Sequence, residues 1–259
     1  MASKFAAAFV ASFRPAVRPS TFFARPQVAQ TFYRGLASIP KEQPRLRLGS
    51  TAPNFKATTT KGQIDFHEFI GDKWAVLFSH PKDFTPVCTT ELGAFAKLAD
   101  EFTERNVKLI GLSADDLGSH ETWQKDIDEV TGSNLDFPII ADADRSVSFL
   151  YDMITQQDIE NLAANPLPLT IRSVFVIDPS KKIRLTMTYP ASTGRNSAEV
   201  LRVIDSLQTG DKEGVVTPID WLPGDDVIIP PSVSNADAKA KFGEVRELKP
   251  YLRYTNVGK

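Results

Sequence analysis

Cys88 is the sole cysteine of the 259-residue chain, and its neighbours suit a thiolate. It lies in the stretch His80-Pro81-Lys82-Asp83-Phe84-Thr85-Pro86-Val87-Cys88-Thr89-Thr90-Glu91. Thr85 is a good helix N-cap, and Pro86 fits the first helical position, where its missing N–H costs nothing. That spacing predicts Cys88 in a first turn, beside unpaired backbone N–H groups and the positive end of the helix dipole. Both favour the thiolate, which is the nucleophilic form. A lone cysteine is otherwise a small buried hydrophobe; here the local chemistry favours a reactive thiol. Pro81 and Pro86 donate no backbone N–H, so they can shape a pocket and exclude water. His80, by itself, reads as a hydrogen-bonded structural residue more readily than as a base. Glu91, three residues beyond Cys88, would disfavour the thiolate unless a cation neutralises it.

These residues need a strand before them and a helix after them, and the pattern supplies both. Residues 74–78 are uniformly apolar and read as a buried strand, and residues 91–106 follow as one long helical pattern. Residues 107–113 predict a second strand, 119–130 a helix and 137–141 a short third strand. Residues 173–177 and 183–188 are β-rich and flank the turn signal Asp178-Pro179-Ser180-Lys181-Lys182, so they predict a hairpin. Residues 196–207 place Val200, Leu201, Val203, Ile204 and Leu207 on one helical face. Strands alternating with helices predict an α/β fold with a mixed central sheet and helices on both faces. Beyond residue 210, Pro218, Pro223, Pro230 and Pro231 interrupt the chain, and 235–242 predicts a short helix. This segment is too small and proline-rich to bury a core of its own, so it is expected to pack on another surface.

Composition narrows the function further. Hydrophobic and charged fractions of 42% and 24% are ordinary for a globular protein. No apolar run approaches the roughly 20 residues that span a bilayer, and a net charge of −2 offers no field for nucleic acid. One cysteine excludes an intrachain disulfide, a thioredoxin-type Cys pair and a thiolate metal cluster, and three histidines argue against a polyhistidine site. Neither a metal nor a cofactor is expected. Residues 1–41 carry Lys4, Arg14, Arg18, Arg25, Arg34 and Lys41 with no acidic residue, and are rich in Ser and Thr. That is the composition of a mitochondrial transit peptide rather than a secretory signal. Without those six, 24 basic residues face 32 acidic ones, so the basic excess belongs to the leader.

The string from Phe78 to Glu91, with Pro81-x-x-x-Thr85-x-x-Cys88 inside it, resembles the peroxiredoxin active site, and its Pro-Val-Cys-Thr-Thr-Glu ending is similar to the one-cysteine, peroxiredoxin-6-like branch. Arg172-Ser173-Val174-Phe175-Val176-Ile177-Asp178-Pro179, Tyr189-Pro190-Ala191-Ser192-Thr193-Gly194-Arg195-Asn196, Thr217-Pro218-Ile219-Asp220-Trp221 and Tyr251-Leu252-Arg253-Tyr254 extend the likeness in order. The resemblance runs from about residue 45 to the end. It implies a thioredoxin-like fold over 45–210 and a small C-terminal domain over 211–259 that contributes to a homodimer, behind a leader at 1–40. It implies a thiol-specific peroxidase of the mitochondrial matrix, serving antioxidant defence. Cys88 would become a sulfenic acid, Arg172 would bind thiolate and peroxide, and Thr85 would offer its hydroxyl. Pro81, His80, Glu91 and Arg195 would support them, with Glu91 organising the arginines. An external thiol would reduce the sulfenic acid: glutathione with glutaredoxin, thioredoxin, or ascorbate in a thiol's place. A sensor or chaperone using the same cysteine is the competing reading.

Some members of that branch also carry a phospholipase A2 activity built on a serine in a G-x-S-x-G-like segment. Here the segment is Gly71-Asp72-Lys73-Trp74-Ala75, with lysine in the serine's place and Ser180 in the aspartate's. A Ser-His-Asp mechanism needs its nucleophile, so that activity is not expected, and His67 is left as a structural residue.

Overall fold

The computed structural model describes residues 44–161 and 168–258; the expected leader lies outside them. Among the described residues, ten strands and eight helices follow one another: β1 (Lys56–Thr59), β2 (Gly62–Asp65), α1 (Phe66–Ile70), β3 (Trp74–Ser79), α2 (Pro86–Lys97), α3 (Ala99–Glu104), β4 (Val107–Ser113), α4 (Leu117–Thr131), β5 (Ile139–Ala141), α5 (Ser146–Leu150), α6 (Gln156–Glu160), β6 (Arg172–Ile177), β7 (Ile183–Tyr189), α7 (Ser197–Glu213), β8 (Val227–Ile228), α8 (Asn235–Phe242), β9 (Arg246–Lys249) and β10 (Leu252–Thr255).

Seven strands form one mixed sheet in the order β2-β1-β5-β4-β3-β6-β7. β3 pairs parallel with β4 and antiparallel with β6, placing it at the centre. Its side chains alternate between faces, as a strand's must. Trp74, Val76 and Phe78 join Cys88, Leu92, Phe95, Trp123, Val200 and Ile204 on one side. Ala75 and Leu77 join Phe66, Ile70, Tyr151 and Phe175 on the other. Both faces of β3 are therefore dry, which explains its unbroken apolar run. The predicted hairpin at β6–β7 is present, with Arg172 opposite Tyr189.

Two expectations need correction, and one hairpin is new. The single helix over 91–106 is two: it starts at Pro86 and breaks at Leu98, where ψ is 7° and the N–H is shared between the Ala94 and Phe95 carbonyls. The break turns α3 so that Phe102 stacks toward Phe95, ring centres 6.0 Å apart, in the core. The β1–β2 hairpin was unanticipated; Gly62, at φ 96°, permits its tight turn. Finally, the C-terminal segment does build a small core. Its three-stranded sheet β8-β10-β9 accompanies a cluster of Val215, Trp221 and Val227, backed by Phe242 and Val257. It nevertheless leaves Ile219 (90% exposed) and Tyr251 (71%) in the open. No helix among the described residues is long and apolar enough to cross a membrane.

Candidate active site

β3 ends at Ser79, and the next six residues cross the top of the sheet to reach α2. Cys88 occupies the first turn of α2, fully buried, as its spacing predicts. Pro86 takes the first helical position but is exposed, so it starts the helix rather than lining the interior. Pro81 is buried. Thr85 has the extended backbone of an N-cap, yet its hydroxyl makes no capping bond. Oγ1 donates instead to the Lys82 carbonyl at 2.8 Å, tightening the loop. With that hydroxyl turned away, the helix N–H groups keep no side-chain acceptor from Thr85 and stay available near Cys88.

β6 lies beside β3, so its first residue arrives next to the start of α2. Arg172 Nη1 donates to Cys88 Sγ at 3.4 Å and to Glu91 Oε2 at 2.5 Å. The other edge of its guanidinium is clamped: Nε and Nη2 both donate to the Ala191 carbonyl, at 3.0 and 2.8 Å. A planar fork held on both edges cannot swing from the sulfur. Glu91 stands one helical turn after Cys88, on the same face of α2. Its Oε1 accepts from the Arg195 backbone N–H (2.7 Å) and Nε (3.1 Å), and its Oε2 from Nη2 (2.8 Å). Arg195 Nη1 completes the frame on the carbonyls of Ser79 (2.8 Å) and Ser173 (3.2 Å). Its guanidinium lies over the rings of Phe78 and Phe95, 5.2 and 5.6 Å from their centres. Burial pulls the Arg195 guanidinium below its ordinary value, and Glu91 opposes that. All three side chains are nearly dry. Two guanidiniums against one carboxylate leave one net positive charge at the sulfur, the balance a thiolate completes.

His80 is fully buried but does not hydrogen-bond to Cys88. Its Nε2 pairs with Asp83 Oδ1 at 2.8 Å. Burial pulls the imidazole below its usual range, against the pull of Asp83. Asp83 itself would be raised by burial, but hydrogen bonds from His120 and His80 outweigh that and hold its carboxyl well below the usual range. His80, Asp83 and His120 offer donor atoms within 4.8 Å of one another and are, among the described residues, the group able to hold a metal. Those atoms face one another through hydrogen bonds at 2.6–2.8 Å, a geometry protons suit. Asp83 and His120 were not foreseen as site residues. Asp83 lies in the motif itself, but His120 comes from α4, where no local pattern marks it. His67 Nε2 pairs with the Ala52 carbonyl at 2.8 Å, a structural bond.

The structure thus brings Cys88, Arg172, Glu91 and Arg195 into one cluster, and sets Thr85, Pro81 and His80 in the loop above it. A thiolate backed by a fixed cation can attack a polarised bond and stabilise the charge that develops on the leaving atom.

The chain is similar to known proteins in sequence and in fold. Residues 48–186 match the model of the AhpC/TSA family, and residues 206–244 that of the C-terminal domain of 1-Cys peroxiredoxin. The chain is 64% identical over 215 residues to Peroxiredoxin PRX1, mitochondrial, of Saccharomyces cerevisiae, covering 83% of this chain and 82% of that one. It is 49% identical to human Peroxiredoxin-6, covering 81% and 97%. A solved structure of yeast mitochondrial 1-Cys peroxiredoxin, concerned with its thiol resolving mechanism via glutathione/thioredoxin systems, matches at TM-score 0.75 and 60% identity, covering 82% of this chain and all of that one. A cysteine-to-serine mutant of Peroxiredoxin 6 of Arenicola marina matches at TM-score 0.77 and 44% identity, covering 83% and 100%.

Proposed function

The chain belongs to the AhpC/TSA family as a one-cysteine peroxiredoxin of the peroxiredoxin-6 type, a thiol-dependent peroxidase with a thioredoxin-like fold, and from that premise we propose how its own residues divide the reaction. Cys88 is the nucleophile. Its thiolate attacks one oxygen of a hydroperoxide; the S–O bond forms, the O–O bond breaks, and the leaving oxygen takes a proton and departs as water or an alcohol. Sulfur is oxidised to the sulfenic acid, the reversible first rung of its oxidation ladder. Arg172 holds the thiolate and stabilises charge on the leaving oxygen. Glu91 and Arg195 keep Arg172 in place. Thr85 spends its only hydrogen on Lys82 but keeps a lone pair, so it accepts the O–H of the peroxide. Pro81 and His80 line the loop.

The observation that carries this reading is Arg172 Nη1, which bridges Cys88 Sγ at 3.4 Å and Glu91 at 2.5 Å in a dry setting. The test is Cys88→Ser, a nearly isosteric change. The folded variant is expected to lose peroxide consumption and sulfenate labelling together; consumption at the native rate overturns the assignment.

With one cysteine in the chain, the sulfenic acid must be resolved by an outside thiol. One thiol condenses with it to a mixed disulfide and water, and a second releases the reduced enzyme. The likeness to the yeast protein supports a glutathione or thioredoxin system as the donor. Offering each reductant separately in the turnover assay decides between them, and turnover itself separates a peroxidase from a sensor or chaperone. The same likeness, together with six basic and no acidic residues in 1–41, supports a mitochondrial matrix protein with a leader at 1–40. A reporter carrying residues 1–45 should enter mitochondria; one that stays cytosolic refutes the leader. Lys73 at the serine position speaks against a phospholipase activity. We take 45–210 as the catalytic domain and 211–259 as its extension. Ile219, Leu248 and Tyr251, exposed on that extension, support a homodimer closed partly through it. Sedimentation of the chain from residue 41 onward should show a dimer at micromolar concentration, weakened by truncation after Gly210; a monomer excludes it.

A further inference from the structure

Asp83 has no part in the chemistry above, yet its carboxylate gathers partners from three elements. Oδ1 accepts from His80 Nε2 (2.8 Å), just past β3, and lies 3.4 Å from Ser113 Oγ at the end of β4, whose one hydrogen goes to Asp115 Oδ2 at 2.8 Å. Oδ2 accepts from Ser119 Oγ (2.8 Å) and His120 Nδ1 (2.6 Å), both on α4. The Asp83 backbone N–H is also held, by Asp115 Oδ2 at 2.9 Å. Asp83, His80 and His120 are all buried. Phe84, next in the chain, is kept at φ 53°, a conformation that costs a non-glycine residue energy and so needs an anchor beside it.

These bonds dictate where the protons sit. An ionised carboxylate can only accept, so His80 carries its proton on Nε2. Burial keeps that imidazole neutral, which leaves Nδ1 bare. Nδ1 is buried and has no hydrogen-bond partner among the described residues. An empty buried acceptor costs about 1–3 kcal/mol. His120 differs. Its Nδ1 lies 2.6 Å from Asp83 Oδ2, and its Nε2 lies 3.1 Å from the Ile140 carbonyl. His120 therefore holds the carboxylate from behind, and the carboxylate holds His80.

His80 is tied to the reacting centre on two sides. Its ring packs 5.1 Å from that of Trp123, whose Nε1 donates to the hydroxyl of Thr89, the residue after Cys88. Its carbonyl accepts from Thr170 Oγ1 at 2.6 Å, two residues before Arg172.

We propose that Asp83, braced by His120 and Ser119, is a positioning residue that locks His80 in its Nε2–H form and so keeps Nδ1 as an empty acceptor for an O–H group at the Cys88 loop. Two O–H groups arise in the reaction, on the peroxide and on the sulfenic acid, and either can fill the acceptor. This inference rests on the peroxidase reading, because those groups come from it.

The test uses the full chain with 15N-labelled histidine. Only three histidines are present, so ring signals are assignable by their loss in single variants. In the native protein at neutral pH, His80 is expected as the neutral Nε2–H tautomer; a neutral Nδ1–H ring overturns the proposal whatever any variant does. In folded Asp83→Ala the lock is lost, and the rate of sulfenate formation is expected to fall about tenfold to a hundredfold, by analogy with removing the carboxylate that orients a metal-ligating histidine. A native rate in that variant with the tautomer changed also overturns the proposal. Asp83→Asn keeps the shape and one acceptor, so it covers the case in which the alanine variant fails to fold. It is expected to retain the Nε2–H form with a smaller loss than alanine would cause. A hundredfold loss with the Nε2–H form intact, or a native rate with it inverted, sinks the idea. If the native protein itself forms no sulfenate with peroxide, the peroxidase reading has failed, and the tautomer spectrum still reports on Asp83 by itself.

Discussion

Glu91→Gln separates a buried charge cluster from an ornamental one. The carboxylate accepts four hydrogen bonds, one from Arg172 and three from Arg195, including the Arg195 backbone N–H. Glutamine keeps the shape but offers one acceptor oxygen and no charge. Two guanidiniums with side chains 3% and 1% exposed then face each other with no negative charge between them. Removing one partner of a buried ion pair typically costs about 3–5 kcal/mol, because the remaining charge stays out of water. At about 2–4 °C per kcal/mol for a domain of this size, the melting temperature should drop by roughly 6–20 °C. Glu101→Gln serves as the reference. Its pair with Arg105, at 2.7 Å, has Glu101 half exposed, and its loss should cost no more than about 1 kcal/mol. The assay is reversible chemical or thermal unfolding of both variants beside the native protein. Sulfenate formation in Glu91→Gln should also slow, since Arg172 loses the neighbour that aims it. A Glu91→Gln protein as stable as the Glu101→Gln control would refute the argument that this cluster is held by Glu91.

Arg172→Met should slow sulfenate formation by about 10²–10³, the usual effect of removing one donor to a developing anion; rapid mixing with peroxide measures it, and an unchanged second-order rate removes Arg172 from the site. Stability should fall on acidification below about pH 6.5, the ordinary histidine value. His80 is held neutral when folded but binds a proton when unfolded, so the unfolded state gains as pH drops, by up to about 1.4 kcal/mol per pH unit. Asp83, also depressed, adds a further loss below about pH 4. Denaturant titrations at pH 7.5, 6 and 5 test this, and His80→Gln should flatten the upper part of the slope; identical slopes contradict it. Gly93→Ala should destabilise by about 1–3 kcal/mol, because a Cβ there would sit 2.5 Å from Thr131 Cγ2 across the α2–α4 contact. Thr131 is fixed by its hydroxyl bonds to Ile127 and Ser133 and cannot easily give way. An unaltered melting curve would show that α4 shifts freely.

Cys88 could be placed in a first helical turn from Thr85 and Pro86, because those signals are local. Arg172 carried no such signal; it was found through resemblance, since its meeting with Cys88 depends on how β6 inserts. Glu91 and Arg195 were paired in advance because an unneutralised carboxylate beside a thiolate is electrostatically untenable. The hydroxyl of Thr85 was assigned to the helix and instead binds Lys82, a choice between two nearby acceptors that only the loop's path decides. His120 was invisible because its partner lies 37 residues away and both are buried polar groups in apolar surroundings. The break at Leu98 was missed because the apolar spacing runs straight through it. At the C-terminus the prolines argued against regular structure, yet Pro230 and Pro231 simply link β8 to α8, with Pro230 lending its carbonyl to Arg253 at 2.8 Å.

The position of β6 has a temporal consequence. β3 and α2 are made early in the chain, but Arg172 reaches Cys88 across 84 residues of sequence. Pairings of that separation carry a large loop-closure cost and form late in folding. Until the antiparallel strand closes onto β3, the chain owns a thiol that has its helix start but not its cation. An unfinished molecule is thereby spared oxidation at its own nucleophile. The onset of peroxide reactivity then works as a clock for folding: peroxide added during refolding should form the sulfenic acid only once the sheet closes, later than any probe of the first helix reports.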